Sequence, residues 1–454
     1  MSELYRPRLH FTPESGWMND PNGLVYVDGL YHLFYQYHPF STKWGPMHWG
    51  HSVSKDLIHW THLPIALEPD ELGFIFSGSA VYDKDNTSGF GKEDKRPIVA
   101  IFTHHSDGGE KQSIAWSLDR ICFTKYSHNP VIENPGIRDF RDPKVFWYEE
   151  GKCWIMVVSA GDRVYFYKSE NLIDWKKTGE FGPEGNYAPG VWECPDLFPL
   201  EVSGGEYKWV LVVSMGMPSY LGGSRTQYFI GDFDGERFTP MDSTDSVKWI
   251  DYGPDCYAGN TFNNTPSNER IFMAWNMNWI YADRVPAYNY RGIMGFPRIL
   301  RLMDTPSGLK LAFDFIESLN LLRKEKIEIK DRMDLSSDTL YFEGIADGEF
   351  VVKLINDRGE MLVFGIDDQN RFFVDRRRSG ISDFSEYFPD VYYANRVFTG
   401  RCQFKALWDV CSFEILADEG TINMSVNAFP TERYTRVITS GNVNGYIYSV
   451  LLIL

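Results

Sequence analysis

Residues 17–37, WMNDPNGLVYVDGLYHLFYQY, decide the fold because their pattern returns at 140–160 as FRDPKVFWYEEGKCWIMVVSA and at 192–214 as WECPDLFPLEVSGGEYKWVLVVS. In each copy an aspartate next to a proline (Asp20, Asp142, Asp196) is followed nine residues on by a glycine (Gly29, Gly151, Gly205) and then by an apolar run. A second signature closes the units: SKDLIHW at 54–60 matches SENLIDW at 169–175, with a fainter echo at 117–123. Short alternating or apolar runs bounded by Gly, Pro, Asn and Asp read as strands. A strand cluster that repeats every roughly 40–60 residues is the signature of a β-propeller blade, and about five such units fit between residues 10 and 300.

A propeller gathers the first strands of its blades around one axis, so groups at their starts share a cavity. Asp20 and Asp142 hold equivalent places in the repeat, and Glu193 stands three residues before the third, Asp196. The repeat stops after Phe296-Pro297-Arg298. A short helix is expected around 315–324, where Phe315, Leu319 and Leu322 share a face. Plain alternation follows, as at 350–354, 397–406 and 446–453, and reads as a β-sandwich. The expected organisation is all-β: a five-bladed propeller over 1–305, a short helical linker over 306–322 and a sandwich over 323–454.

Composition narrows the function. With 45 Lys and Arg against 62 Asp and Glu the net charge is -17, which disfavours nucleic acid as a partner. Aromatic residues make up 16% of the chain, enough to line a sugar site as well as a core. No apolar stretch is long enough to cross a bilayer, and the first ten residues, MSELYRPRLH, contain no leader-like run, so a cytoplasmic protein without a membrane partner is expected. The six cysteines show neither zinc spacing nor a disulfide framework. A homodimer and a monomer are both compatible with the sequence.

Retaining glycoside cleavage needs an ionised carboxylate that attacks the anomeric carbon and a protonated carboxyl that donates to the leaving oxygen. Asp20 lies in a polar turn rich in donors, which suits the nucleophile. Glu193, between Trp192 and Cys194, has the apolar setting that suits an acid which later acts as base. Asp142 follows Arg141, whose guanidinium is expected to keep it anionic and able to stabilise positive charge on the sugar ring.

The strings WMNDPNG (17–23), FRDPKVFW (140–147) and WECPDLF (192–198) together resemble the signature motifs of glycoside hydrolase family 32, which includes invertases, levanases and exo-inulinases. FSGSAV (76–81) and NWIYADRVPAYNYRG (278–292) extend the likeness over nearly the whole chain. The resemblance implies a five-bladed propeller with a funnel-shaped site and neither a metal nor an organic cofactor. It makes Asp20 the nucleophile, Asp142 the transition-state stabiliser and Glu193 the acid/base, acting on terminal β-linked fructose of sucrose and fructo-oligosaccharides. It also implies a fructose pocket lined by Trp17, Asn19, Gln36, Trp44, Phe76, Ser77 and Arg141, with Asp255 and Trp279 towards the leaving group. Details near residues 76–90 are closer to levanases and exo-inulinases than to sucrose-6-phosphate hydrolases. Cys256, Ile280 and Tyr288-Asn289-Tyr290 depart from the family pattern, all in the fifth blade. A cytoplasmic location makes imported sucrose and short oligosaccharides, rather than long levan, the expected substrates. The rival readings are a fructosyltransferase or endo-acting fructanase on the same scaffold, an inverting pentosan hydrolase, and a non-catalytic fructoside-binding protein.

Overall fold

The structure is a computed structural model that describes residues 3–185, 187, 190–244 and 247–452. Met1-Ser2 and Ile453-Leu454, at the outer ends of the two expected domains, lie outside the described residues. Five successive sheets form a propeller. Their innermost strands are Gly16–Val27, Phe74–Tyr82, Phe140–Tyr148, Trp192–Glu201 and Tyr257–Thr261, and these pack against one another around a common axis. The ring closes where Tyr290–Arg291 adds parallel to Gly16 and Trp17, joining the last blade to the first.

Each inner strand carries a bulge at the same height, two residues opposing one on its neighbour. The pairs are Asn19-Asp20, Phe76-Ser77, Asp142-Pro143, Cys194-Pro195 and Ala258-Gly259. Pro143 and Pro195 are tolerated there because a bulge already lacks a ladder bond. Asp142, Cys194 and Ala258 adopt positive φ of 65, 46 and 54°, a conformation costing roughly 1–3 kcal/mol for a residue with a side chain. The bulges turn adjacent side chains of one strand toward the axis, which regular alternation would send to opposite faces. Below them the axis is filled: buried Asp196 accepts from Lys144 Nζ at 3.3 Å, Thr261 N at 2.7 Å and Thr261 Oγ1 at 2.8 Å, while Lys144 also donates to Asn260 Oδ1 at 3.0 Å. Asp196, the third member of the sequence repeat, is thus a structural plug.

The segment expected as a linker is corrected by the structure. Gly308–Phe315 pairs with Arg298–Thr305 as the outer strand of the fifth blade, and only Glu317–Leu322 is helical, as a 3-10 turn that buries Leu319 and Leu322. The hairpin over residues 305–308 has no counterpart in the Asp-to-Gly repeat, so the repeat ends before the blade does. The following strands form a sandwich-like sheet domain. Thr339–Ile355 bends at a bulge between Asp347 and Phe350; its first half pairs with Arg401–Asp409, its second with Met361–Ile366, and both halves with Arg436–Val450.

Buried ion pairs fasten the two parts together. Arg298 donates to Glu414 Oε2 at 2.8 Å and Ser425 Oγ at 2.6 Å, and pairs with Asp251 at 3.1 Å. His10 joins Asp409 at 2.7 Å and Glu414 at 3.2 Å. Burial opposes the charge of His10, but its hydrogen bonds to Asp409 and Glu414 outweigh that and hold its pKa up at about 9. A pKa raised on folding gives stabilisation that is complete below the unfolded value of about 6.5 and is lost as pH climbs through the folded one. The melting temperature is therefore expected to decline between about pH 6.5 and 9, and His10→Asn should flatten that decline. Identical profiles for parent and variant would show that His10 does not carry it.

Candidate active site

Asp20, Asp142 and Glu193 meet at the bulged ends of three inner strands, on a cavity of about 1020 Å³. Two donors converge on one oxygen of Asp20: Ser77 Oγ at 2.7 Å and Cys194 Sγ at 3.2 Å from Oδ2. Asn19 Nδ2 donates to the other at 3.0 Å, and its amide is in turn fixed by Trp17 Nε1 at 2.7 Å. Asp142 receives Cys194 N at 2.9 Å on Oδ2, while its own N–H donates to Thr103 Oγ1 at 3.0 Å. Cys194 therefore ties two of the carboxylates together. Burial, then the negative charges of Asp142 and Asp20, push its thiol well above the usual range, which keeps the S–H as a donor.

Glu193 is held from two sides. Arg141 donates to its Oε1 at 3.0 Å, and the buried Tyr257 hydroxyl donates to its Oε2. Arg141 also pairs with Glu110 at 3.1 Å and Asp139 at 2.8 Å, so its charge is divided among several carboxylates. The expectation that Arg141 keeps Asp142 anionic is overturned. Burial is the largest influence on Asp142, and with the charges of Asp20 and Glu193 it outweighs Arg141 and lifts the pKa to about 8. The carboxylate cluster therefore retains a proton at neutral pH, and that proton belongs to the coupled set.

The pocket lining includes Asn19, Gln36, Trp44, Phe76, Ser77, Arg141 and Trp279. Trp44 is 46% exposed and Trp279 37%, so both rings face the opening, where core packing alone would have buried them. Trp17 is 1% exposed and lies behind the lining, stacked on Trp279 with centroids 5.7 Å apart. It orients Asn19 and backs Trp279 without reaching the cavity. Asp255 is fully buried away from the pocket, bonded to Arg376 at 2.8 Å, Tyr281 Oη at 2.6 Å and Asn427 N at 2.8 Å. It is an anchor between propeller and sandwich, because an aspartate this deep is retained only with a cation and donors around it. Sequence reading missed Tyr257, Glu110 and the thiol bridge of Cys194. The last was signalled by its place beside Glu193; the other two contact the site from different blades and carry no local motif.

Residues 10–312 match the model for the glycosyl hydrolases family 32 N-terminal domain, and residues 319–446 match that for the family's C-terminal domain. The chain belongs to glycoside hydrolase family 32. It is 44% identical over 443 residues to a levanase of Bacillus subtilis, covering 92% of this chain and 65% of that protein. It is 36% identical over 495 residues to an extracellular exo-inulinase of Aspergillus ficuum, covering 96% and 92%. Among solved structures, a fructofuranosidase from Schwanniomyces occidentalis complexed with fructosylnystose superposes with a TM-score of 0.91 at 32% identity, covering 99% of this chain and 98% of that one. This family 32 chain is a fructosyl-releasing glycosidase. The extracellular relatives overturn the expected cytoplasmic location, which had rested on the first residues of the sequence. Long fructans are then no longer excluded as substrates.

Proposed function

We propose that this enzyme removes fructose one unit at a time from the non-reducing ends of fructans and fructo-oligosaccharides, and splits sucrose, with retention of configuration. The observation that carries the reading is the placing of Asp20 and Glu193, each fixed by its own donors, on one cavity below which Lys144 and Asp196 fill the propeller axis. A filled axis suits a chain end better than the middle of a polymer.

In the first step an oxygen of Asp20 bonds to the anomeric carbon while the glycosidic C–O bond breaks, and Glu193 gives its proton to the departing oxygen. In the second, Glu193 takes a proton from water, whose oxygen attacks the same carbon and frees Asp20. Ser77, Asn19 and Cys194 hold Asp20 in place for the attack. With the cluster's shared proton carried by Glu193, as the first step requires, Asp142 is left as the anion that accepts from the sugar hydroxyls and stabilises positive charge on the ring as the bond breaks. Arg141 and Tyr257 position Glu193.

Product analysis with sucrose, kestose, inulin and levan tests the reading. Free fructose as the only early product from inulin and levan, with kestose giving fructose and sucrose and sucrose giving equal amounts of glucose and fructose, is the expected result. Oligosaccharide products would replace it with endo-cleavage, and a shortfall of fructose against glucose from sucrose would replace it with transfer.

A further inference from the structure

The inner strands have a second set of ends, opposite those that carry the carboxylates. There, Val81, Tyr82, Phe146 and Leu197 help to line another cavity, of about 480 Å³. The Lys144–Asp196 plug lies between the two cavities, so this one does not lead to the active site. Its walls are rich in rings: Tyr82, Phe146, Trp147 and Trp209 are partly buried, and Tyr207 is 60% exposed at the edge. Trp209 packs against Phe146 with centroids 5.6 Å apart, giving the wall a continuous aromatic surface.

Arg270 enters this cavity from the fifth blade. Among the described residues no group accepts a hydrogen bond from its guanidinium, its Nε is buried without a partner, and it lies 5.1 Å from the ring centroid of Phe198. Arg298, Arg376 and Arg396 behave differently, each being bonded to carboxylates and carbonyls or hydroxyls. A buried donor without a partner calls for an explanation, and one on the wall of a cavity can be met by a bound hydroxyl. The surrounding rim carries Asp85, Glu149 and Glu150 against Lys84, which repels a polyanion. A neutral polyol suits both signs: its hydroxyls accept from the guanidinium and donate to carboxylates, while its C–H faces lie on the rings.

We infer that this cavity is a second, non-catalytic binding site for a neutral carbohydrate chain, and that the chain is the fructan on which the active site works. The identity of that sugar rests on the function proposed above. Two sites on one molecule raise its effective affinity for a polymer without altering its action on a disaccharide. The test uses gel electrophoresis through levan or inulin with the full-length Asp20→Asn protein, which does not consume the polymer. Adding Tyr207→Ala or Arg270→Met is expected to reduce retardation. In the active enzyme each substitution should raise KM for the polymer at least about threefold and leave kcat/KM for sucrose unchanged. Tyr207 is exposed, so its loss leaves the fold intact. Undiminished retardation in both variants, or a parallel fall on sucrose and polymer, would overturn the inference. A parent protein that binds levan yet releases no fructose from any substrate would instead overturn the proposed function.

Discussion

Asp20→Asn is expected to fold and melt as the parent does and to lose at least about three orders of magnitude in kcat, with little change in KM. The amide has the shape of the carboxylate and keeps one oxygen able to accept from Ser77 and Cys194. It cannot form the covalent bond to sugar that divides the reaction into two easier steps. Removing a group that acts only in the transition state lowers kcat and kcat/KM together. Single-turnover kinetics with sucrose are the direct measurement, and near-parental turnover would remove Asp20 from the chemistry.

Asp142→Asn is expected to do two opposite things. Activity should fall by about 10²–10³, the usual cost of removing one preorganised electrostatic contact to a transition state. Stability should rise. The folded protein holds a proton on this cluster up to about pH 8 that an unfolded aspartate has released, so the parent loses stability as pH increases from about 4 to about 8. Asparagine needs no such proton and can still accept from the Cys194 N–H. The melting-temperature gap between variant and parent should therefore widen across that interval. Equal melting curves at pH 8 would mean that the buried carboxylate is not under strain from its neighbours.

The part of this architecture that sequence reveals is the part that repeats. Asp20, Asp142 and Asp196 mark inner strands because each blade solves the same packing problem, and the resulting spacing led to the axis and to Glu193 close by. What the repeat does not reveal is the bulge. Alternation alone puts Asn19 and Asp20 on opposite faces, and only the two-against-one pairing with Gln36 brings both to the cavity. Asp255 was misplaced for a related reason: its partners Arg376 and Asn427 lie more than a hundred residues away in the other domain. Trp17 adjoins the site in sequence yet acts through Asn19. Gly308–Phe315 escaped because the outermost strand of a blade carries none of the axial residues that define the repeat.

The plug formed by Lys144 and Asp196 has a kinetic consequence. A site with one mouth fills and empties in a fixed order: the shortened polymer, lying toward the opening, must withdraw before the fructose beneath it can leave. Each cut therefore ends that chain end's stay in the active site. On oligomers too short to reach the second cavity, the enzyme trims a population of chains evenly, one unit from each in turn, so their length distribution drifts downward as a single peak instead of splitting into untouched and consumed fractions.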